Sequence, residues 1–459
     1  MNMNQPIKQV PASFRDPSGF VYQQNGTVYR FVSSIYKEHY DLFVASGLKE
    51  QLQKASILLP FEETTENHTG RTDWYKTLLP QQIPFLNYAW EWSFEQLKDA
   101  ALTTLRISRK SLKQNMILKD ATHLNIQFVK GRPMFIDHLS FEQYKVGSPW
   151  IAYRQFCECF LNPLLLASYC KLEPQQLFTA WPNGISAGVT ARLLPFKCRL
   201  RTSLALHVFL PARMAKNATG TKQEQAKMLP RKGLEQILDN LETVVQSLTY
   251  KPNTVVWENY YSETILSKEY LAEKKKVVQE LLQQVNYETV LDLGANEGEF
   301  SLLCREDAQI VAVDNDSACI QELYKKLQAA KKKHILPLVA DLTQPSPARG
   351  WMNEEQGSFL SRAKADLGLA LALIHHLCIG KNLPLLQVAQ LLAQCTQLLI
   401  IEFVPKNDPK VQALLRNRAD VFPNYNEEEF ERDFETCFQI KSKVRLTTAG
   451  RTLYLMSRK

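Results

Sequence analysis

The amino-acid sequence predicts an α/β protein. An N-terminal α+β domain precedes a doubly wound, mostly parallel sheet with an antiparallel pair at its edge. Three observations predict this. Beyond residue 257, helical pattern alternates with short apolar runs, ETVLDLGA, AQIVAVD, ILPLVAD, ADLGLALAL and QLLIIEF. Strand–helix alternation at that spacing builds an open parallel sheet. The last two runs, FQIKSKVRL and TLYLMS, have a short connection, so they pair antiparallel. Before residue 233 no such alternation appears. A chain of 459 residues has room for about two to four domains. The expected division is an acceptor-binding or regulatory domain over 1–232, a helix and linker over 233–256, and the parallel-sheet domain over 257–459.

Composition narrows the class. Lys and Arg number 55 and Asp and Glu 47, giving a net charge of +8. The excess is local: between Lys171 and Lys232 stand eleven basic and two acidic residues. No apolar run reaches the ~18 residues of a membrane-spanning helix. The start, MNMNQPIKQVPASF, has no signal-peptide core. Of nine cysteines only Cys157 and Cys159 lie close together, and no second pair or His cluster completes a metal site. A cytoplasmic protein with reduced thiols, no metal and no membrane partner is expected.

The N-terminal elements follow in order. GFVYQQNGTVYRFV reads as two strands around Asn25-Gly26, both tolerant of the positive φ of a two-residue hairpin turn. Helical pattern over Tyr36–Lys54 precedes an apolar strand, ILLPF. Ser93 and Gln96 have capping-box spacing and open a long helix bearing Phe94, Leu97, Ala101, Leu105 and Leu112 on one face, ending near Met116. Two short strands, Asn125–Val129 and Met134–Ile136, flank Lys130-Gly131. Further helices are expected over Trp150–Tyr169 and after Leu172. Ala215–Gly233 is polar and basic and reads as a loop. Leu234, Ile237, Leu238, Leu241, Val244, Val245 and Leu248 then form one helical stripe.

The chemistry concentrates between Val290 and Asp341. VLDLGANEGEF starts as a buried strand and breaks into a glycine turn, where the backbone can approach a ligand closely. The next strand ends at Asp314, where an acid can accept two hydrogen bonds from a ribose diol. The third ends at Asp341. Three acids around a glycine turn describe one pocket at the carboxyl edge of the sheet.

On these motifs, residues 257–459 resemble a class I S-adenosylmethionine-dependent methyltransferase with a Rossmann-like sheet. The resemblance implies S-adenosylmethionine as cofactor. By it, Gly294 and Gly298 flank the loop beneath the methionine part and Asp292 lies near its ammonium. Asp314 holds the ribose hydroxyls, while Asp341 and Leu342 meet the adenine. Where the family often has a third glycine, this chain has Asn296, which tolerates left-handed backbone angles. An aromatic-rich segment, with Trp257, Tyr260 and Tyr261, stands where related enzymes cover the cofactor.

Methyl transfer displaces a sulfide from an activated carbon, so alignment, exclusion of water and removal of a proton remain for the protein. His375 and His376, at the end of the fourth strand, are the candidate bases. Glu402, after the fifth strand, is a further candidate. The asparagine-proline-proline-tyrosine signature of many amino-group methyltransferases is absent.

In the N-terminal half, Asp120, Asn125 and Asp137 within LKDATHLNIQFVKGRPMFID resemble the catalytic loop of protein-kinase-like phosphotransferases. That resemblance implies a vestigial nucleotide and magnesium site. No Gly-rich loop accompanies it, no clear Lys sits on a third strand, where Arg30 or Lys37 could substitute, and Asp137 opens D-H-L rather than D-F-G. Taken whole, FRDPSGFV, the LKDAT to FID segment and the C-terminal domain together resemble bacterial nodulation-protein-like methyltransferases.

The expected function is methyl transfer to an unidentified acceptor, a small molecule or a glycan. Three alternatives stand beside it. One is RNA or protein methylation guided by the basic 171–232 stretch, in which nucleic acid is a less favoured partner because aromatic interleaving is sparse. The second is a non-catalytic nucleotide-binding module. The third is a Mg-ATP-dependent phosphotransferase in the N-terminal domain. Oligomeric state is not legible.

Overall fold

The computed structural model describes residues 7–217, 228–251, 267–416 and 419–459. Two compact units emerge. One is Met1–Pro252 with Ala348–Gly357, and the other is Asn253–Pro347 with Ser358–Lys459.

The first unit begins with a five-stranded antiparallel sheet. Its order is Lys8–Gln9, Gly19–Gln24, Thr27–Ser33, Trp74–Pro80 and Phe61–Thr64. Asn25 and Gly26 take φ of 51° and 79°, the mirror-image turn whose twist matches the hairpin. The run at Ile57–Leu59 is a correction. Instead of an extended strand, it makes a single bridge from Leu58 to Phe135, and the strand starts at Phe61. Pro60 offers no N–H to a ladder, and Ile57, Leu58 and Leu59 are all buried, so the run lacks the half-exposed alternation of a sheet surface.

Ser93 caps the helix Phe94–Lys113, with Gln96 closing the box back onto the Ser93 N–H at 2.9 Å. Strands Ile126–Val129 and Arg132–Phe135 form a tight hairpin. The helix Arg231–Ser247 buries Leu234, Leu238, Leu241, Val244 and Val245 within this same unit, and Asp239 meets Arg109 of the long helix at 2.7 Å. Residues 348–357, supplied by the chain from between two strands of the other unit, are anchored here. The Arg15 guanidinium reaches Glu355 at 2.6 Å, and Arg349 lies over the Trp90 ring and donates to the Phe178 carbonyl.

The second unit carries seven strands: β1 Thr289–Leu293, β2 Gln309–Asp314, β3 Ile335–Val339, β4 Ala365–Ala370, β5 Thr396–Phe403, β6 Phe438–Arg445 and β7 Thr452–Arg458. Their spatial order is β3-β2-β1-β4-β5-β7-β6. The first five run parallel, and β7 pairs antiparallel with both β5 and β6. The order reverses beside β1, between β1 and β4. That switch point is where an open α/β sheet leaves a crevice beyond the carboxyl ends of its strands. The parallel strands are near-continuous apolar runs because helices cover both faces. Helix α1, Lys268–Gln283, enters the core through Tyr270, Val278, Leu281 and Leu282.

Candidate active site

The site grows from the turn after β1. Gly294 has φ +76°, and its N–H and that of Ala295 both donate to the Val313 carbonyl, at 2.8 and 2.9 Å. The turn is thereby pinned against β2. Asn296 adopts φ 49°, a left-handed angle that its short polar side chain tolerates. Its N–H donates to Asp314 Oδ2 at 2.8 Å. Gly298, at φ +78°, lies so close to Leu323 that a Cβ would sit 2.6 Å from its Cδ1. A side chain at Gly298 would have to displace that leucine.

Three acids stand at successive strand tips. Asp292 is buried, with Ser301 Oγ donating to it at 2.6 Å. Burial, aided by the nearby Asp314 charge, pushes its carboxyl up to about 6, against the Ser301 hydrogen bond and the Lys274 charge. Asp314 is raised too, chiefly by burial, while backbone N–H groups of Asp316 and Asn296 oppose the shift. The Asn296 N–H donates to one Asp314 oxygen and the Asp316 N–H to the other, and a carboxylate with about four acceptor sites keeps capacity for a further donor. Asp341 accepts from the N–H and hydroxyl of Thr343 on Oδ1 alone. Among the described residues no Lys or Arg makes an ion pair with any of the three.

They line a cavity of about 380 Å³, within the size range of small-molecule sites. Gly294, Asn296, Asn315 and Leu342 complete the wall at the tips of β1 to β3. Tyr270, Leu271 and Lys274 enter from α1, and Leu371, Ala372, Leu373, His376 and Leu377 from the segment after β4. Ala372 has φ 54°, a strained angle for alanine, at the point where the chain leaves β4.

The candidate bases separate here. β4 ends at Ala370, and the histidines lie on the helical turn that follows rather than at the strand end. Their rings are 4.1 Å apart, yet only His376 lines the cavity. Burial lowers His376 to about 4, with Arg451 and Lys410 adding to the shift, so its imidazole is neutral at physiological pH. His375 is fully buried with neither ring nitrogen hydrogen-bonded, and burial holds it neutral as well.

Glu402 lies away from the cavity wall, in a closed ionic network. Lys274 Nζ meets it at 2.7 Å, the Tyr270 hydroxyl donates at 2.5 Å, and Arg451 approaches to 3.6 Å. Arg451, fully buried, also forks onto Asp408 at 2.8 and 3.1 Å. Burial alone would raise the Glu402 carboxyl, but the two cations outweigh it and hold it below the usual range. A carboxylate committed to two cations is a weak proton acceptor, so a role as base is corrected to a structural one. Sequence reading did not find Tyr270 and Lys274. The available signal was a Lys spaced four residues after Tyr270 and four before Val278, on the inward stripe of α1.

Trp257, Tyr260 and Tyr261 lie outside the described residues. The segment resembling a kinase catalytic loop is described, and it does not fit magnesium. Asp137 is ion-paired to Arg30 at 2.6 Å and accepts the Ser140 hydroxyl and the Leu139 N–H. Burial would raise its carboxyl, but the Arg30 charge and these donors hold it below the usual range. Asp120 is held by Gln155 at 3.1 Å, and Asn125 bonds through its backbone, to Thr122 and Ile136. The cation beside Asp137 is thus the Arg30 guanidinium, from the strand Thr27–Ser33. Among the described residues no cluster of three or more His, Cys, Asp or Glu side chains could hold a metal ion.

No family model matches the chain. Nodulation protein NoeA from Rhizobium meliloti (strain 1021) is 32% identical over 460 residues, spanning 98% of this chain and 96% of that protein. The chain belongs to the NoeA family. Solved structures similar to part of this NoeA-family chain include magnesium protoporphyrin IX methyltransferase (ChlM) from Synechocystis PCC 6803 with bound SAH. It is 16% identical, covers 44% of this chain and 93% of that one, and has a TM-score of 0.31. N-methyltransferase NodS from Bradyrhizobium japonicum WM9 with bound SAH is 11% identical, covers 45% and 93%, and has a TM-score of 0.33.

Proposed function

We propose that the second unit transfers a methyl group from S-adenosylmethionine to a small-molecule or glycan acceptor. The observation that carries this reading is the convergence of Asp292, Asp314 and Asp341, none ion-paired to a cation among the described residues, around a left-handed turn at the switch point of a parallel sheet. A buried acid pushed up to about 6 favours a cationic ligand group beside it, and an ammonium answers that need at Asp292. Asp314 has acceptor capacity for a ribose hydroxyl. Asp341 Oδ2 and Leu342 offer an acceptor and an apolar edge to an adenine.

S-adenosylmethionine supplies a methyl group already activated on a sulfonium. The chain's own residues then bind, align and exclude water. Leu371, Leu373, Leu377 and Tyr270 make the wall beside the acids largely apolar. His376, the histidine at the cavity wall, is assigned to accept the acceptor's proton, which grows acidic as the methyl group bonds. The first unit is assigned to acceptor selection or regulation. The relative is named for nodulation, which is a process and not a substrate, so the acceptor class rests on the small cavity.

Incubating the full chain with methyl-labelled S-adenosylmethionine and fractionated extract tests the reading. Label is expected in a small-molecule or glycan fraction and is lost in Asp314→Ala. Transfer into RNA or protein would overturn the acceptor class, and no transfer into any fraction would overturn the activity.

A further inference from the structure

We propose that residues 192–216 of the first unit form a seat for an anionic lipid surface. The segment from Ala205 to Asn217 is one helical rod, a π-turn running into an α-helix. Its inner face is Val208 and Ala212, continued back to Leu204 of the preceding helical turn, all buried. Two residues out of phase, Leu206, Leu210 and Met214 recur at fourth positions and are 45%, 48% and 60% exposed. A helix that is apolar on both faces is ordinarily enclosed on both, and this one leaves its outer face open. The segment before it repeats the pattern, with Phe196 at 74% and Leu200 at 79% exposure.

Charge selects the occupant. Arg192, Lys197, Arg199, Arg201, Arg213 and Lys216 are all exposed, and no acid occurs between Glu173 and Glu224. A second copy of this chain would set these cations against their own kind. A nucleic acid would use the phosphate contacts but leave the aliphatic stripe without a partner. An anionic bilayer surface satisfies both, taking the apolar side chains into its interface and the cations at its headgroups. Among the described residues no helix is long and apolar enough to cross a membrane, and a peripheral seat needs none.

Co-sedimentation of the full chain with vesicles decides the matter. Vesicles containing phosphatidylglycerol are expected to bind it, in a salt-sensitive manner, and pure phosphatidylcholine vesicles far less. Leu210→Glu with Met214→Glu is expected to abolish binding while leaving near-ultraviolet circular dichroism unchanged, since both side chains are exposed. Arg213→Gln with Lys216→Gln should weaken partition by roughly 25-fold, about fivefold for each cation. The proposal is overturned if phosphatidylglycerol vesicles do not bind the chain, or if the Leu210/Met214 variant binds them undiminished. It is equally overturned if that variant instead dissolves a dimer, or if the charge variant loses only binding to polyuridylic acid.

Discussion

Asp292 sets the pH behaviour of the site. Its carboxyl titrates at about 6 when buried without a ligand, and only the ionised form attracts an ammonium. Because the folded value lies above the unfolded one, ionising Asp292 costs the ligand-free fold stability as pH rises through about 6. A bound ammonium offsets that cost. Affinity for S-adenosylmethionine, followed by calorimetry, is therefore expected to fall as pH drops below about 6 and to level off above it, and Asp292→Asn should flatten the profile. The two histidines should separate just as clearly. His376→Ala is expected to lower kcat by about 10² or more with little effect on cofactor binding. His375→Leu removes two buried nitrogens that lack partners, so it should preserve turnover and leave thermal stability equal or higher. Equal loss of turnover in both variants would contradict the assignment.

At the scale of elements, the parallel sheet was legible because each strand combines an apolar run with a punctuating acid or glycine. The order VLDLG, IVAVD, ILPLVAD places the three tips without any knowledge of packing. The anchoring of α1 was not legible. Lys274 and Glu402 lie 128 positions apart, and Arg451 reaches Asp408 across 43. Nothing local marks either pair, since lone charges in apolar stretches are read as ends or errors. The histidines were placed at a strand tip when they sit on the turn beyond it, because Leu371-Ala372-Leu373 continues the apolar run after the ladder has ended. The network predicts a stability effect. Arg451→Met strands Asp408 and part of Glu402 without compensation, and chemical denaturation should show a loss of about 3–5 kcal/mol. A loss below about 1 kcal/mol would mean that the network is not holding α1 over the cavity.

For the whole molecule, the two halves differ in how much chemistry their sequences disclose. Among the described residues, the second unit keeps the three acids at its strand tips, Asp292, Asp314 and Asp341, out of ion pairs, while Glu402 and Asp408 are committed to Lys274 and Arg451. The first unit neutralises its own, with Arg30 on Asp137 and Lys119 at 3.4 Å from Asp16. The Asp120, Asn125 and Asp137 motif does not itself contain this cation, because Arg30 arrives from a different strand more than a hundred positions away; sequence reading offers Arg30 or Lys37 for that place, and the ion pair to Asp137 is made by Arg30. Adding Mg-ATP to the full chain should therefore leave its melting temperature unchanged, whereas S-adenosylmethionine should raise it by mass action. A shift with Mg-ATP that disappears in Asp137→Asn would restore the phosphotransferase reading.

The most direct test of the account is calorimetric titration of S-adenosylmethionine into the full chain and into Asp314→Ala at pH 7.5. One-site binding, weakened at least tenfold by the substitution, is the result the carboxylate-lined cavity predicts. Binding that is absent from the native chain, or equal in the two proteins, would contradict it.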